Sequence, residues 1–243
     1  MKSYNEQLTA LRASGNLRHL PEVEHQGIWI LKEGMRMLNL SSNDYLGLAS
    51  RQDLQEEFQA STQDRFYPYS SSSSRLLTGN FSVYTKLEKQ IARSFDREAA
   101  LIFNSGYHAN TGILPALTDK QTLLLADKLV HASIIDGILL SGSPFLRYRH
   151  TDYDQLERLV QKTACQYETI IILTESIFSM DGDVADLNRL IAIKRQYPNI
   201  LLYVDEAHAI GARGKTGLGI AEEQGCIQEI DLLVGTFGKA LAS

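Results

Sequence analysis

The chain is poor in cysteine, in excess charge of either sign and in long apolar runs, and each shortage removes a class of protein. Cys165 and Cys226 are the two cysteines among 243 residues. They are too few for a disulfide framework and fit a reducing, cytoplasmic setting. No apolar run approaches the ~20 residues that span a bilayer, and the opening MKSYNEQLTALR has no apolar signal core; a membrane is not an expected partner. A net charge of −5 gives no basis for expecting nucleic acid or an anionic surface as partner. The six histidines form no HExxH, and the two distant cysteines form no zinc clamp, so no metal site is expected. What is present, 44% hydrophobic and 22% charged residues, is ordinary for a soluble globular protein able to bury a substantial core.

Apolar spacing divides the chain. Ser3–Ser14 is expected to be helical, with Tyr4, Leu8 and Leu11 on one stripe. Gly27–Leu31 and Met35–Leu40 predict a hairpin around Glu33-Gly34. Asp53–Arg65 is expected to be helical, and the serine run Ser70–Ser74 with Arg75–Asn80 an ordered loop. The next helix carries Val83, Leu87, Ile91 and Phe95 on one face. A rhythm then begins. Apolar runs at Ala99–Phe103, Thr122–Ala126, Phe145–Tyr148, Thr169–Leu173, Ile200–Val204 and Leu232–Val234 predict strands. They alternate with helical segments near Asn110–Leu117, Ser133–Leu140, Tyr153–Gln161 and Leu187–Tyr197. Strands alternating with helices imply an α/β fold, a mostly parallel sheet with helices on both faces. The expected organisation is an N-terminal arm over residues 1–50 and one large domain over 51–243.

Polar residues at the ends of these strands suggest chemistry, because open α/β sheets keep their sites there. Asp205 closes Leu201–Val204, His208 follows three residues later, and Lys239 follows the last strand between Gly238 and Ala240. A lysine so lightly shielded can lose its proton and attack an aldehyde. A carboxylate at Asp205 can stay ionised beside a pyridinium nitrogen, each charge favouring the other. The implied cofactor is pyridoxal 5′-phosphate (PLP), held as a Schiff base on Lys239, with His208 placed to hydrogen-bond its phenolic oxygen. His131, at a strand-to-helix junction, could stack on such a ring. Gly106 in Asn104–Asn110 opens a helix whose amides suit a phosphate, and Ser179, after another strand, could donate to the cofactor. A competing signature is also present: Asp205–His208 spells DEAH, and Ala209 with Gly214-Lys215-Thr216 loosely imitates a Walker A loop. The order is reversed for an NTPase, and the strict pattern wants glycine at Ala209.

Seven ordered stretches carry a resemblance: SSNDYLGL (Ser41–Leu48), SSRLLTGN (Ser73–Asn80), NSGYHAN (Asn104–Asn110), DKLVHAS (Asp127–Ser133), ESIFSMDGD (Glu175–Asp183), VDEAH (Val204–His208) and TFGKA (Thr236–Ala240). Together they resemble the α-oxoamine synthases, PLP enzymes of fold type I, from about Arg18 to the last residue. The resemblance implies that Lys239, Asp205 and His131 are catalytic and that Gly106, Tyr107, Ser179, His208 and Thr236 also contact the cofactor. It implies that Arg18, Asn43 and His131 lie near substrate. It implies a decarboxylative condensation of L-alanine with a pimeloyl thioester (CoA or carrier protein) in biotin biosynthesis, with a glycine- or serine-using relative as the alternative. It further implies a homodimer whose sites draw on both subunits. Members continue past the PLP lysine into a C-terminal domain bearing a carboxylate-binding arginine. That domain is expected to be absent from these 243 residues, so a non-catalytic PLP-binding or dimerising fragment is a second alternative.

Overall fold

The computed structural model describes residues 3–62 and 70–243, in two units divided between Ser42 and Asn43. In the smaller unit, helix α1 (Tyr4–Ala13) starts with a capping box. The Ser3 hydroxyl accepts from the Glu6 amide at 3.3 Å while the Glu6 carboxylate accepts from the Ser3 amide at 2.7 Å. A three-stranded antiparallel sheet follows, β1 (Glu24–Gln26), β2 (Trp29–Lys32) and β3 (Met35–Leu38). Lys32 pairs with Met35 across a two-residue turn, and Glu33 and Gly34 take φ of 52° and 77°. Two successive left-handed residues give the turn that matches hairpin twist, as expected around Glu33-Gly34. Strand β1 had no clear signal in the sequence.

The larger unit contains, in order, α2 (Gln52–Thr62), α3 (Ser82–Ser94), α4 (Gly106–Leu117), β4 (Thr122–Asp127), α5 (Ala132–Ser141), β5 (Phe145–Tyr148), α6 (Tyr153–Thr163), β6 (Thr169–Glu175), α7 (Leu187–Lys194), β7 (Ile200–Asp205), α8 (Ile220–Glu223) and β8 (Leu232–Val234). The end of the expected Asp53–Arg65 helix, residues 63–65, lies outside the described residues. All five strands of the main sheet are parallel, in the order β5-β4-β6-β7-β8. Every residue of β4 is buried, as is nearly all of β6 and β7. Successive side chains point to opposite faces, so both faces are covered, which is why these strands read as unbroken apolar runs. After β4 the chain adds β5 on one side and then crosses to add β6 on the other. That reversal opens a crevice beyond the carboxyl ends of β4 and β6, the usual place for a ligand in an open sheet.

One expected strand is corrected: Ala99–Phe103 is not a strand. Side chains take its backbone groups instead. The Ile102 amide donates to Glu88 at 2.8 Å, and the Ile102 carbonyl accepts from Arg75 at 3.1 Å. Arg75 also makes a two-pronged bond to Glu88, at 2.8 and 3.0 Å, and donates to Asn80 at 2.9 Å. This one guanidinium orders the loop after the serine run.

Helices α4 and α5 pack closely because Gly137 has no side chain. A β-carbon there would sit 2.5 Å from the Asn110 carbonyl oxygen and 3.0 Å from Leu114. Gly137→Ala is expected to push α4 away and cost about 1–3 kcal/mol, measured by urea unfolding. An unchanged midpoint would contradict this account of the packing.

Candidate active site

Three neighbouring strands of the sheet end in acids: Asp127 on β4, Glu175 on β6 and Asp205 on β7. Glu175 and Asp205 are register partners and are 3% and 7% exposed. Two like charges side by side in a dry place cannot both ionise cheaply. Burial, and then the Asp205 charge, push the Glu175 carboxyl up to about 7. Glu175 is not idle, for its carboxylate accepts from the His131 backbone amide. That bond fixes the start of α5.

Asp205 is held from two sides. Its Oδ1 accepts from the Ala207 amide at 2.9 Å and its Oδ2 from the Asn110 side chain at 2.9 Å. Asn110 is 1% exposed and uses its whole amide. It also donates to Ser133 Oγ at 2.9 Å and accepts from the Tyr203 hydroxyl. A single buried carboxamide thus ties α4, α5 and β7 together around Asp205. Ser133 in turn donates its backbone amide to His131 Nδ1 at 3.2 Å, with its hydroxyl 2.7 Å from the same nitrogen. Nδ1 is therefore an acceptor and the ring proton sits on Nε2.

Lys239 lies half-buried beyond β8, its Nζ 2.8 Å from His208 Nε2. Burial lowers the lysine pKa, opposed by the charges of Asp205 and Glu175. Burial and then the lysine charge lower His208 to about 4, so its imidazole is neutral at pH 7. His208 Nδ1 meets the Tyr45 hydroxyl at 2.6 Å, and that hydroxyl is 3.4 Å from Asn43 Oδ1. A chain of polar groups, Lys239–His208–Tyr45–Asn43, results. The two bonds of His208 can run in either proton direction, although only the first leaves the Tyr45 proton for Asn43. An ammonium donates to Nε2 while Nδ1–H donates to the phenol oxygen; a free amine reverses both bonds.

The structure brings together most of the residues expected from sequence. Gly106 opens α4, where Ser105 caps the His108 amide at 3.1 Å. The first amides of a helix have no partner inside it, which leaves those of Gly106 and Tyr107 facing outward. A β-carbon on Gly106 would meet only the Thr236 side chain, at 3.9 Å, so Thr236 borders this small open cradle. The Tyr107 hydroxyl donates to Asp136 on α5. Ser179 is exposed on a turn after β6, with no hydrogen bond to Lys239, His208 or Asp205 among the described residues. Arg18 is exposed in the smaller unit. Asn110, Glu175 and Tyr45 were not singled out from sequence. Glu175 had a usable signal, the same acid-after-apolar-run pattern that marked Asp205.

The Walker-like loop is closed to phosphate. The Thr216 amide and hydroxyl and the Leu218 amide all donate to the Glu222 carboxylate, at 2.7–3.1 Å. The glutamate of the DEAH string, Glu206, is fully buried and accepts from Ser176 at 2.5 Å and from the Ile220 and Ala221 amides at 3.1 and 2.7 Å. It caps α8 and is not placed to bind a metal.

Residues 35–243 match the family model for aminotransferase class I and II. The chain belongs to the aminotransferase class I and II family. Among curated relatives, a protein of Pasteurella multocida (strain Pm70) named "putative 8-amino-7-oxononanoate synthase" is 58% identical over 243 residues, 100% of this chain and 63% of that protein. One of the same name from Haemophilus influenzae (strain 86-028NP) is 59% identical, over 100% and 64%. The chain therefore spans a little under two thirds of these relatives' length. Among solved structures it is similar to Sphingomonas wittichii serine palmitoyltransferase, at 26% identity and TM-score 0.86 over 98% of this chain and 60% of that one. It is also similar to 8-amino-7-oxononanoate synthase of Francisella tularensis, at 30% identity and TM-score 0.68 over 84% and 55%. The fold is that of the PLP fold-type-I enzymes, and PLP is the cofactor that goes with it. A serine palmitoyltransferase variant from S. paucimobilis at TM-score 0.85 and 26% identity, over 98% of this chain and 60% of that one, was solved with a PLP–myriocin aldimine bound.

The residues of this aminotransferase-family chain fit that cofactor. A doubly charged phosphate suits the two amides and open cradle at Gly106, a pyridinium suits the buried Asp205, which accepts two bonds and keeps lone pairs to spare, and an aldehyde suits the lysine whose pKa burial has lowered.

Proposed function

We propose that this chain is the cofactor-bearing part of an α-oxoamine synthase that condenses L-alanine with a pimeloyl thioester, with loss of CO₂, to give 8-amino-7-oxononanoate. Lys239, Asp205, Gly106, Tyr107 and Thr236 would hold PLP, His131 would lie over its ring, and Ser179 and His208 would face its phenolic oxygen. Arg18 and Asn43 would serve the acyl substrate. When bound, PLP supplies an electron sink for a carbanion at the amino acid α-carbon.

The protein's own contribution is proton handling and orientation. One observation carries the chemistry: a half-buried lysine amine that feels the charge of Asp205 and lies 2.8 Å from a neutral imidazole. As a free amine, Lys239 Nζ takes the α-proton and later returns it. His208, with its other nitrogen on Tyr45, fixes the direction of that amine. His131 presents Nε2–H to a carboxylate, which suits assistance to decarboxylation. Asp205 is held in place by bonds from the Asn110 side chain and the Ala207 amide.

The choice of alanine and a pimeloyl thioester is supported by 58–59% identity to relatives named for that product, against 26% to serine palmitoyltransferases. The same reading would make it a cytoplasmic homodimer. A turnover assay with L-alanine, glycine and L-serine against pimeloyl-CoA and pimeloyl-carrier protein tests this. L-Alanine with a pimeloyl thioester is expected to win by at least about tenfold in kcat/KM, one methylene or hydroxyl being worth 1–3 kcal/mol in a fitted pocket; a preference for glycine or serine would contradict it. A second reading is a PLP-binding, dimerising piece without turnover. Turnover by the 243-residue chain itself would rule that out.

A further inference from the structure

His150, at the junction of β5 and α6, stands between two carboxylates. Its Nδ1 is 3.0 Å from Asp127 Oδ1 and its Nε2 is 3.0 Å from Asp183 Oδ2. The ring packs edge-on against Phe178, with centroids 4.4 Å apart. Asp127 ends β4, four residues before His131, and its carboxylate also accepts from the Leu129 and Thr151 amides at 2.8 and 2.9 Å. Asp183 closes the turn that carries Ser179. Within that turn the Phe178 amide donates to the Asp183 carbonyl at 3.0 Å and the Gly182 amide to the Phe178 carbonyl at 2.9 Å. A neutral imidazole has one N–H and one lone pair. It could satisfy one of these carboxylates, and its lone pair would face the other. Both contacts together require the imidazolium.

We propose that His150 is a positioning residue that, as an imidazolium, clamps the Ser179 turn to the end of β4 that leads into His131. Its value to catalysis rests on the function proposed above; the clamp itself rests on these contacts alone. The other ionisable groups around it are few. Tyr148 on β5, Tyr153 on α6 and Glu175 on β6 interact with Asp127 through charge. Arg149 and Asp152 beside it in the chain pair with each other at 2.5 Å. Burial lowers the His150 pKa, but the bonds to Asp127 and Asp183 outweigh it and leave the pKa raised. A raised pKa means that the clamp is complete below the ordinary histidine value of about 6.5. It is lost as pH rises through the folded-state value. Asp183 should let go first, because its side chain is 54% exposed and water can replace the ring, whereas that of Asp127 is 1% exposed.

The test uses the chain without PLP, by nitrogen NMR of the imidazoles and by hydrogen exchange of the Phe178 and Gly182 amides. Both His150 nitrogens are expected to carry protons at pH 6.5. Protection of the two amides, corrected for intrinsic exchange, is expected to fall about tenfold by pH 8.5. His150→Asn should lose that protection at every pH. Asp183→Asn should keep it, because a carboxamide can donate to a neutral ring nitrogen as well as accept from a charged one, but its pH dependence should vanish. A neutral His150 tautomer at pH 6.5, or an Asp183→Asn variant as unprotected as His150→Asn, would overturn the clamp. Neither result would touch PLP attachment at Lys239, so the clamp and the proposed function fail separately.

Discussion

Asp205→Ala is expected to weaken PLP binding by about 10²–10⁴-fold, read from the cofactor's absorbance or fluorescence in a titration. Removing one partner of a buried, hydrogen-bonded charge pair costs about 3–5 kcal/mol, and each 1.4 kcal/mol is tenfold in affinity. The affinity is lost because the pyridinium would have no counter-charge; the Asn110 amide, now donating to Asp205 at 2.9 Å, would be left with a buried N–H unpaired with or without PLP, which costs folding stability instead. Asp205→Asn keeps an acceptor for Asn110 but no charge, so it should fall between wild type and alanine. An independent sign accompanies the loss. Asp205 is one of the groups that raise Glu175, so in Asp205→Ala the Glu175 pKa should drop toward its ordinary value. Unchanged affinity in the alanine variant would contradict the role given to Asp205.

The second large effect concerns Glu175. Its pKa is about 7 in the folded chain, raised from 4.5 by burial and by Asp205. The folded state therefore binds more protons than the unfolded one between those values, and stability falls as pH rises through that window. The full effect is about 3 kcal/mol at 1.36 kcal/mol per pH unit. His208 acts in the opposite direction. Its pKa is lowered to about 4, so its contribution is lost as pH falls from about 6.5 toward 4. Comparing variants separates the two. Glu175→Gln keeps an acceptor for the His131 amide and cannot ionise. Without PLP it should be more stable than wild type at pH 8 and close to it at pH 5, by urea unfolding at both values. Equal stability at both would mean that Glu175 is not held protonated by its surroundings.

How much of this could be read in the sequence follows from where each residue gets its information. The central strands were legible because a parallel strand buried on both faces is apolar throughout, as in Ile170–Leu173 and Leu123–Ala126. The same rule misled at Ala99–Phe103, where Leu101 is 66% exposed and Arg75 and Glu88 take the backbone groups that a strand would need. Asp205, His208 and Lys239 were legible because each follows such a run. Asn110 was not, since a polar residue one turn into a helix has meaning only once β7 and α5 pack against it. Tyr45 lies 163 residues from His208 in the chain, and nothing local announces their contact. His150 was hidden for the same reason: its two carboxylates come from a strand end and a turn, 23 and 33 residues away.

The central claim is that Lys239 is the residue to which PLP attaches, with Asp205 and His208 shaping its amine. The most direct measurement is to incubate the purified chain with PLP, reduce with borohydride and map the peptides by mass. A pyridoxyl group on Lys239, lost in Lys239→Ala, is the expected result. No adduct, or one on another lysine with Lys239 unmodified, would contradict the account.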